Sequence, residues 1–304
     1  MRALGVKAVV VAGLLCTHGA SAADLQAAAE GALGPRPGGV VALEVRGERL
    51  LAIVNPRVAV GQAFPVGSLF KLAVARAALE QGIADPGEKI DCRNVFTSDG
   101  KRLRCSVPSG HGRLDIIGAL AQSCNVHFYH LARRLGAEAM LRQARALGLG
   151  RATGLYSGEA AGSVPEHVAH ESVLLLGIGD VPGLTATVLQ VARLAARLAR
   201  ERETEAGRVL HQAMVLAVTE GTAQAASVSG LSVAGKTGSP SRPSGRGTYA
   251  WFAGFAPAEE PEIAVAVLVL EGHGRDTAAP IAGKIFAAWQ SSRNQPVGSK
   301  GVQR

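Results

Sequence analysis

Aromatic residues are scarce: two Trp, three Tyr and seven Phe make up 4% of the 304 residues. So few rings offer little to stack against bases, and the basic residues are spread along the chain, so nucleic acid is excluded as a partner. Acidic residues are the minority, 24 against 32 Lys and Arg, for a net charge of +8. Long apolar runs are missing beyond the N-terminus; Ile263 to Leu270 has the length of a strand, not of a membrane span. Cysteine is limited to four residues, and no internal repeat is visible. The 47% hydrophobic content is ample for a core and excludes a disordered chain.

The first 22 residues read as an export signal. Arg2 and Lys7 form the basic end, Ala8 to Cys16 the apolar stretch, and Ala20-Ser21-Ala22 the small-residue cleavage site. Cleavage after Ala22 leaves a net charge of +6, suited to an anionic surface or an acidic substrate. The mature chain is expected outside the cytoplasm, periplasmic or extracytoplasmic, as one domain over residues 23–290 with a polar, aperiodic, disordered tail over 291–304. Cys16 leaves with the signal. Cys92 and Cys105 bracket a polar loop and are the natural disulfide in an oxidising compartment, with Cys124 buried and free.

Periodicity gives a coarse map. A short helix over Asp24 to Leu33 precedes a hairpin of Gly39–Val45 and Leu50–Val54. The stretch Asp85 to Arg113 reads as irregular. Helices follow from Leu114, over Val126 to Leu135, and over Ala137 to Leu147, separated by Gly136; two more cover Val188–Arg200 and Val209–Thr219. The basic face of Arg193, Arg197, Arg200 and Arg202 reads as solvated surface. A strand from Gly230 to Ala234 leads into Lys236-Thr237-Gly238. Strands over Thr248–Pro257 and Ile263–Leu270 follow, the second central because it is apolar throughout, and a helix over Ala278–Gln290 closes the domain. Strands, a large helical insertion, then returning strands and a helix make an α+β or α/β sheet with an inserted helical lobe.

Ser68 should open the helix that runs to Gly82, with Lys71 one turn later on the same face. A desolvated lysine can take the proton of a neighbouring hydroxyl, and the helix N-terminus favours a nearby oxyanion. Ser-x-x-Lys alone is weak: a chain of this length holds roughly one by chance, and taken alone an N-cap serine followed by a surface lysine is the favoured explanation. Gly230-Leu231-Ser232-Val233-Ala234-Gly235-Lys236-Thr237 matches a phosphate-binding loop literally. That loop needs a helix directly after it, which Gly238, Pro240, Pro243, Gly245 and Gly247 forbid. His127 and His130 are three apart on a helix, but no third ligand has a clear spacing, so packing or surface is the reading.

Ser68-x-x-Lys71, Ser123-x-Asn125 and Lys236-Thr237-Gly238, in this order in an exported chain, resemble the penicillin-recognising serine enzymes. Gly38–Glu44, Pro65–Lys71, Ala119–Tyr129, Gly148–Gly154, Gly158–Gly162, Val233–Ser239 and Trp251–Pro257 narrow the resemblance to the transpeptidase domain of class B penicillin-binding proteins, from about Gly38 to Gln290. It implies an antiparallel central sheet flanked by helices, and a serine D-Ala-D-Ala transpeptidase or carboxypeptidase acting on peptidoglycan stem peptides. Ser68 would be the nucleophile and Lys71 its base. Ser123 would relay a proton under the influence of Lys236, and Asn125 would hold the substrate amide. Thr237 and Ser239 would bind the substrate carboxylate, Gly238 completing that strand, and the N–H groups of Ser68 and Ser239 would form the oxyanion hole. β-Lactam antibiotics are the implied covalent ligands and cell-wall assembly proteins the implied partners; no metal, nucleotide or other cofactor is implied. Two details depart from the family pattern: Ser239 precedes a proline, and Gly177-Ile178-Gly179-Asp180 stands where Gly-Gln-Gly is usual. The alternatives are a serine β-lactamase, with Glu159, Glu166 or Glu171 activating water, and a non-catalytic sensor or scaffold.

Overall fold

The computed structural model describes residues 22–98 and 100–294. The proposed signal therefore lies outside the described residues, apart from Ala22, which opens helix α1 (Ala22–Leu33). Strands β1 (Gly38–Glu44) and β2 (Leu50–Val54) form the expected hairpin. Helix α2 (Lys71–Glu80) follows a 3-10 turn over Gly67–Phe70, so Ser68 sits in the tight entry turn and Lys71 begins the α-helix proper.

The stretch expected to be irregular instead holds four short strands: β3 (Ile90–Cys92), β4 (Val95–Ser98), β5 (Lys101–Arg104) and β6 (Gly112–Leu114). They pair antiparallel as β3 with β6 and β4 with β5. Each has three or four residues, too few to show a period in the sequence. Asp115 caps α3 (Ile116–Ala121) by accepting from the Gly118 N–H at 2.8 Å. Helix α4 (Asn125–Ala146) breaks at Gly136, as the sequence indicates. Thr187 and Gln190 close a capping box on α5 (Val188–Arg200), and α6 (Glu205–Thr219) follows.

The returning strands are β7 (Ala234–Gly238), β8 (Ala250–Ala256) and β9 (Ile263–Val269). Helix α7 (Ala279–Asn294) closes the described chain. Boundaries differ from expectation by up to four residues; α6, for one, begins at Glu205 rather than Val209. The strand expected over Gly230–Ala234 begins only at Ala234, so Lys236-Thr237-Gly238 is itself the strand. The first four residues of the expected disordered tail, 291–294, are helical; the rest lies outside the described residues.

The five-stranded sheet has the order β2-β1-β9-β8-β7 and is antiparallel throughout. β9 is central, and both its faces are covered. Val265 and Val267 pack with α1 and α7 residues such as Leu25, Ile285 and Phe286. Ala264, Ala266 and Leu268 pack with the helical lobe, including Val191 and Ala195 of α5. A strand covered on both sides gains from every apolar side chain, which explains its unbroken hydrophobic run.

The arginine face of α5 is not simply solvated. Arg193 and Arg200 both reach Glu48 in the β1–β2 turn, at 2.7 and 2.6 Å, and Arg197 and Arg76 share Glu201. Burial pushes the Glu48 carboxyl up, but Arg200 and Arg193 outweigh it and hold it below the usual range. The pairs are partly exposed and individually weak; what they contribute is registry between α5 and the hairpin.

The expected Cys92–Cys105 disulfide is not formed. Cys92, Cys105 and Cys124 are all buried free thiols. Pairing of β3 with β6 sets Cys92 opposite Gly112, while Cys105 Sγ faces His111 Nδ1 at 3.4 Å and Cys124 Sγ at 3.9 Å, far beyond the roughly 2.05 Å of a sulfur–sulfur bond.

The sheet is tied to the Ser68 turn by a partly buried hydrogen bond: Trp251 of β8, with no exposed surface, donates its indole N–H to the Pro65 carbonyl at 2.8 Å. Trp251→Phe leaves that carbonyl unpaired and a void beside it. Urea denaturation should show a loss of about 2 kcal/mol; an unchanged midpoint would contradict the assigned role of this bond.

Candidate active site

Three separate parts of the chain meet at one cavity of about 460 Å³. Its lining includes Ser68 from the entry turn of α2, Ser123 and Asn125 from the α3–α4 junction, and Thr237, Gly238 and Ser239 from the end of β7. Six of the eight sequence-predicted catalytic and binding residues thus share one wall system. The other two, Lys71 and Lys236, lie just behind it with no exposed surface.

Ser123 is the meeting point of the two lysines. Lys71 Nζ donates to the Ser123 carbonyl at 2.8 Å and to Asn125 Oδ1 at 2.6 Å, and lies 3.4 Å from Ser123 Oγ. Lys236 Nζ lies 2.9 Å from Ser123 Oγ and donates to the Thr237 carbonyl at 2.8 Å. Ser123 itself is in the left-handed region, φ 57°, which costs a non-glycine residue roughly 1–2 kcal/mol. Bonds from Ser123 N–H to Leu120 O and from Cys124 N–H to Ala119 O hold the turn, together with the two lysines.

All these lysine partners are neutral oxygens, and burial sets the proton balance. Burial, only partly opposed by Cys124 and Cys105, brings the Lys71 amine down to about 8. Burial and then the charge of Lys71 hold Lys236 well below its ordinary value. A neutral Lys71 has two N–H groups, matched by its two short bonds, and keeps a lone pair that can accept a proton.

Gly67 makes the entry turn possible. Its φ is 51°, and a Cβ there would come within 2.9 Å of the Pro240 ring, so the loop after β7 packs directly on the residue before Ser68. Ser239, exposed, accepts from the Gly274 N–H at 2.9 Å, and Thr237 donates to Thr222 Oγ1 at 2.7 Å. Thr222, Asp180, His273 and Arg275 also line the cavity. The sequence reading gave none of them a site role: Asp180 entered only as part of a departure from the Gly-Gln-Gly pattern, and the other three are lone polar residues without a local pattern. Glu159 is engaged by Thr153 Oγ1 at 2.8 Å, and neither it nor Glu166 nor Glu171 is among the described lining residues. His130 packs edge-on against Phe96, ring centres 4.7 Å apart, and His127 is buried beside it on α4. The phosphate-loop match is resolved by geometry: Lys236 lies mid-strand, fully buried, and no helix follows.

A family model for the penicillin-binding protein transpeptidase domain matches residues 38–288. The chain belongs to this family. Among transpeptidase-domain relatives, peptidoglycan D,D-transpeptidase MrdA of Acinetobacter baumannii is 26% identical, the match covering 89% of this chain and 53% of that protein. The structure of Pseudomonas aeruginosa PBP2 in complex with WCK 5153 aligns with a TM-score of 0.80 at 26% identity, covering 88% of this chain and 74% of that one. Penicillin-binding protein A from M. tuberculosis, solved as a ceftriaxone acyl-enzyme complex, aligns with a TM-score of 0.78 at 25% identity, covering 88% and 78%. The chain spans about half the length of the curated relatives it matches. Among the described residues no helix is long and apolar enough to cross a membrane.

A base must be unprotonated to act, so any reaction that uses Lys71 should accelerate as pH rises through about 8 and level off above it. The measurement is the acylation rate with benzylpenicillin from pH 6 to 9.5; a rate that falls across this window would contradict a neutral Lys71 as the acceptor.

Proposed function

We propose that this chain is an exported serine acyltransferase that acts on the D-Ala-D-Ala ends of peptidoglycan stem peptides and is acylated by penicillins. The observation that carries the reading is the convergence of two buried lysines on Ser123 at a cavity lined by Ser68, Thr237 and Ser239. A binding module has no use for two desolvated amines beside a serine hydroxyl.

In this reading Ser68 Oγ attacks the carbonyl carbon of the penultimate D-alanine while Lys71 takes the hydroxyl proton. The oxyanion is held by the Ser68 and Ser239 N–H groups, the Thr237 and Ser239 hydroxyls hold the terminal carboxylate, and Asn125 holds the substrate amide. The C–N bond then breaks, Ser123 Oγ–H passes a proton to the departing D-alanine amine, and Lys236 sets the proton affinity of that hydroxyl. The ester at Ser68 is resolved by the amine of a second stem peptide, or by water. A β-lactam follows the same first step, but its leaving nitrogen stays tethered. The acyl-enzyme form of the M. tuberculosis relative supports this course. The three candidate glutamates lie away from the described cavity wall, which disfavours efficient hydrolysis of a penicillin ester. The same reading puts the chain outside the cytoplasm, where peptidoglycan and the proteins that assemble it are found.

Intact-mass spectrometry after mixing with benzylpenicillin should show one lasting adduct, absent in Ser68→Ala. In Lys71→Ala it should form about 100-fold or more slowly. Rapid loss of the drug without a lasting adduct would replace this reading with a β-lactamase. Neither adduct nor hydrolysis would remove the enzymatic reading altogether.

A further inference from the structure

Among the described residues five ionisable side chains line the cavity: His111, Asp180, His273, Arg275 and Asp276. Four of them have company. His111 turns Nδ1 to the Cys105 and Cys92 sulfurs at 3.4 and 3.6 Å, and His273 Nδ1 lies 3.2 Å from Thr248 Oγ1. Arg275 and Asp276 are adjacent, opposite charges in the π-helical turn Gly274–Ala278, whose Gly274 N–H donates to Ser239 Oγ beside the end of β7. Asp180 stands apart from these, on the side of the helical lobe. It is exposed, and among the described residues its carboxylate makes no ion pair or hydrogen bond.

The Asp180 backbone is fixed although its side chain is unengaged. Its N–H donates to the Leu175 carbonyl at 2.9 Å, and the Gly179 N–H to Leu176 O at 2.9 Å. Gly179, φ 74°, packs so closely on the nucleophile turn that a Cβ there would come within 2.2 Å of the Gly67 carbonyl oxygen and 2.8 Å of Phe70 Cβ. Gly67 and Phe70 bracket Ser68, so Asp180 follows directly on the residue that touches the Ser68 turn. Downstream, Thr185 and Ala186 pair antiparallel with Pro65 and Phe64, which anchors the same segment a second time. Burial first, and then the charges of Cys105 and Asp180, push the Tyr129 phenol up to about 12, which sets Asp180 toward α4 and away from β7. The sequence departs from the family pattern in this segment, with an acid where a neutral glutamine is usual.

We infer that Asp180 binds the amine of the acceptor stem peptide and so directs the Ser68 ester toward a second peptide instead of water. The inference rests on the proposed acyl transfer, in which either can resolve the ester. The donor's carboxylate is held at Thr237 and Ser239, so its negative end lies at β7. The acceptor brings an ammonium into a cavity backed by two lysines and flanked by Arg275, and the carboxylate on the opposite wall offsets that positive field. The ammonium loses one proton to solvent, and the resulting amine keeps an N–H on the Asp180 carboxylate. Its lone pair attacks the ester carbon, and the carboxylate stabilises the positive charge that grows on nitrogen as the C–N bond forms. Lys71 takes a proton from that nitrogen and returns it to Ser68 Oγ as the C–O bond breaks. Asp180 ends the cycle ionised, as it began. Water is uncharged, and the carboxylate does not concentrate it in this way.

The test acylates the full chain with a thioester donor that copies the stem-peptide end and whose leaving group keeps a terminal carboxylate. A peptide with a free side-chain amine on a diamino acid is supplied below saturation, and mass spectrometry compares amide product with hydrolysed acid. Both products come from one acyl-enzyme, so their ratio does not depend on how much of a variant folds or how fast it is acylated. Asp180→Asn should lower the ratio about tenfold, the worth of one hydrogen bond to a charged group, and Asp180→Glu should restore most of it. Added salt should lower the wild-type ratio, a readout that needs no variant. A ratio in Asp180→Asn equal to the wild type's would overturn the inference, as would a salt-independent wild type. A higher ratio in that variant would also overturn it, assigning Asp180 to water activation. A wild type that yields only hydrolysed acid at every acceptor concentration would sink this inference alone, since the proposed acyl transfer allows water. If neither the thioester nor benzylpenicillin modifies Ser68, the proposed function fails and this inference with it.

Discussion

Two amines taken wholly out of water at a single serine are the constraint on which this structure depends. Lys71 and Lys236 Nζ lie 3.4 and 2.9 Å from Ser123 Oγ, so the two nitrogens are at most 6.3 Å apart, the sum of the two. Two full charges at that separation repel by about 3 kcal/mol even at an effective dielectric of 20, and neither lysine takes part in an ion pair among the described residues. Desolvation and mutual repulsion act in the same direction, so the site favours having at least one neutral amine. A stability-driven core would not retain such a pair; a proton-transfer site needs it.

Meeting that constraint requires elements far apart in sequence to be held to within tenths of an ångström. Lys71 is carried by the first turn of α2, Lys236 by an edge strand, and Ser123 by a strained junction between helices of the inserted lobe. Trp251 fixes the first to the sheet through Pro65, and Pro240 packs against Gly67. The arginines of α5 that grip Glu48 and Glu201 pin the lobe to the hairpin and to α2. The cavity opens where lobe and sheet edge meet, so the same packing that buries the lysines leaves Ser68, Ser123 and Thr237 lining the opening.

Much of this was legible in the sequence because it is local. The unbroken apolar run of β9, the hairpin of β1 and β2, the stop at Gly136 and the three short motifs each depend on neighbouring residues. Where tertiary contact decides, the sequence was mute. The strands between Ile90 and Leu114 are too short for a period to emerge, and β7 starts at Ala234 because its pairing with β8 runs from Ala234 to Gly238. Glu48 gave no sign that it would receive two arginines. Cys92 and Cys105 suggested a disulfide by their spacing around a loop, yet the loop's own strands turn them toward His111 and Cys124. Those two residues lie 6 and 19 positions beyond Cys105, a spacing that shows no contact until the fold is known.

The most direct test of the central claim is a crystal structure of the protein after exposure to benzylpenicillin. The account predicts electron density continuous from Ser68 Oγ, the drug's carboxylate at Thr237 and Ser239, its carbonyl oxygen at the Ser68 and Ser239 N–H groups, and Ser123 still between the two lysines. Density attached to any other residue, or an acyl group whose carboxylate points away from β7, would contradict it.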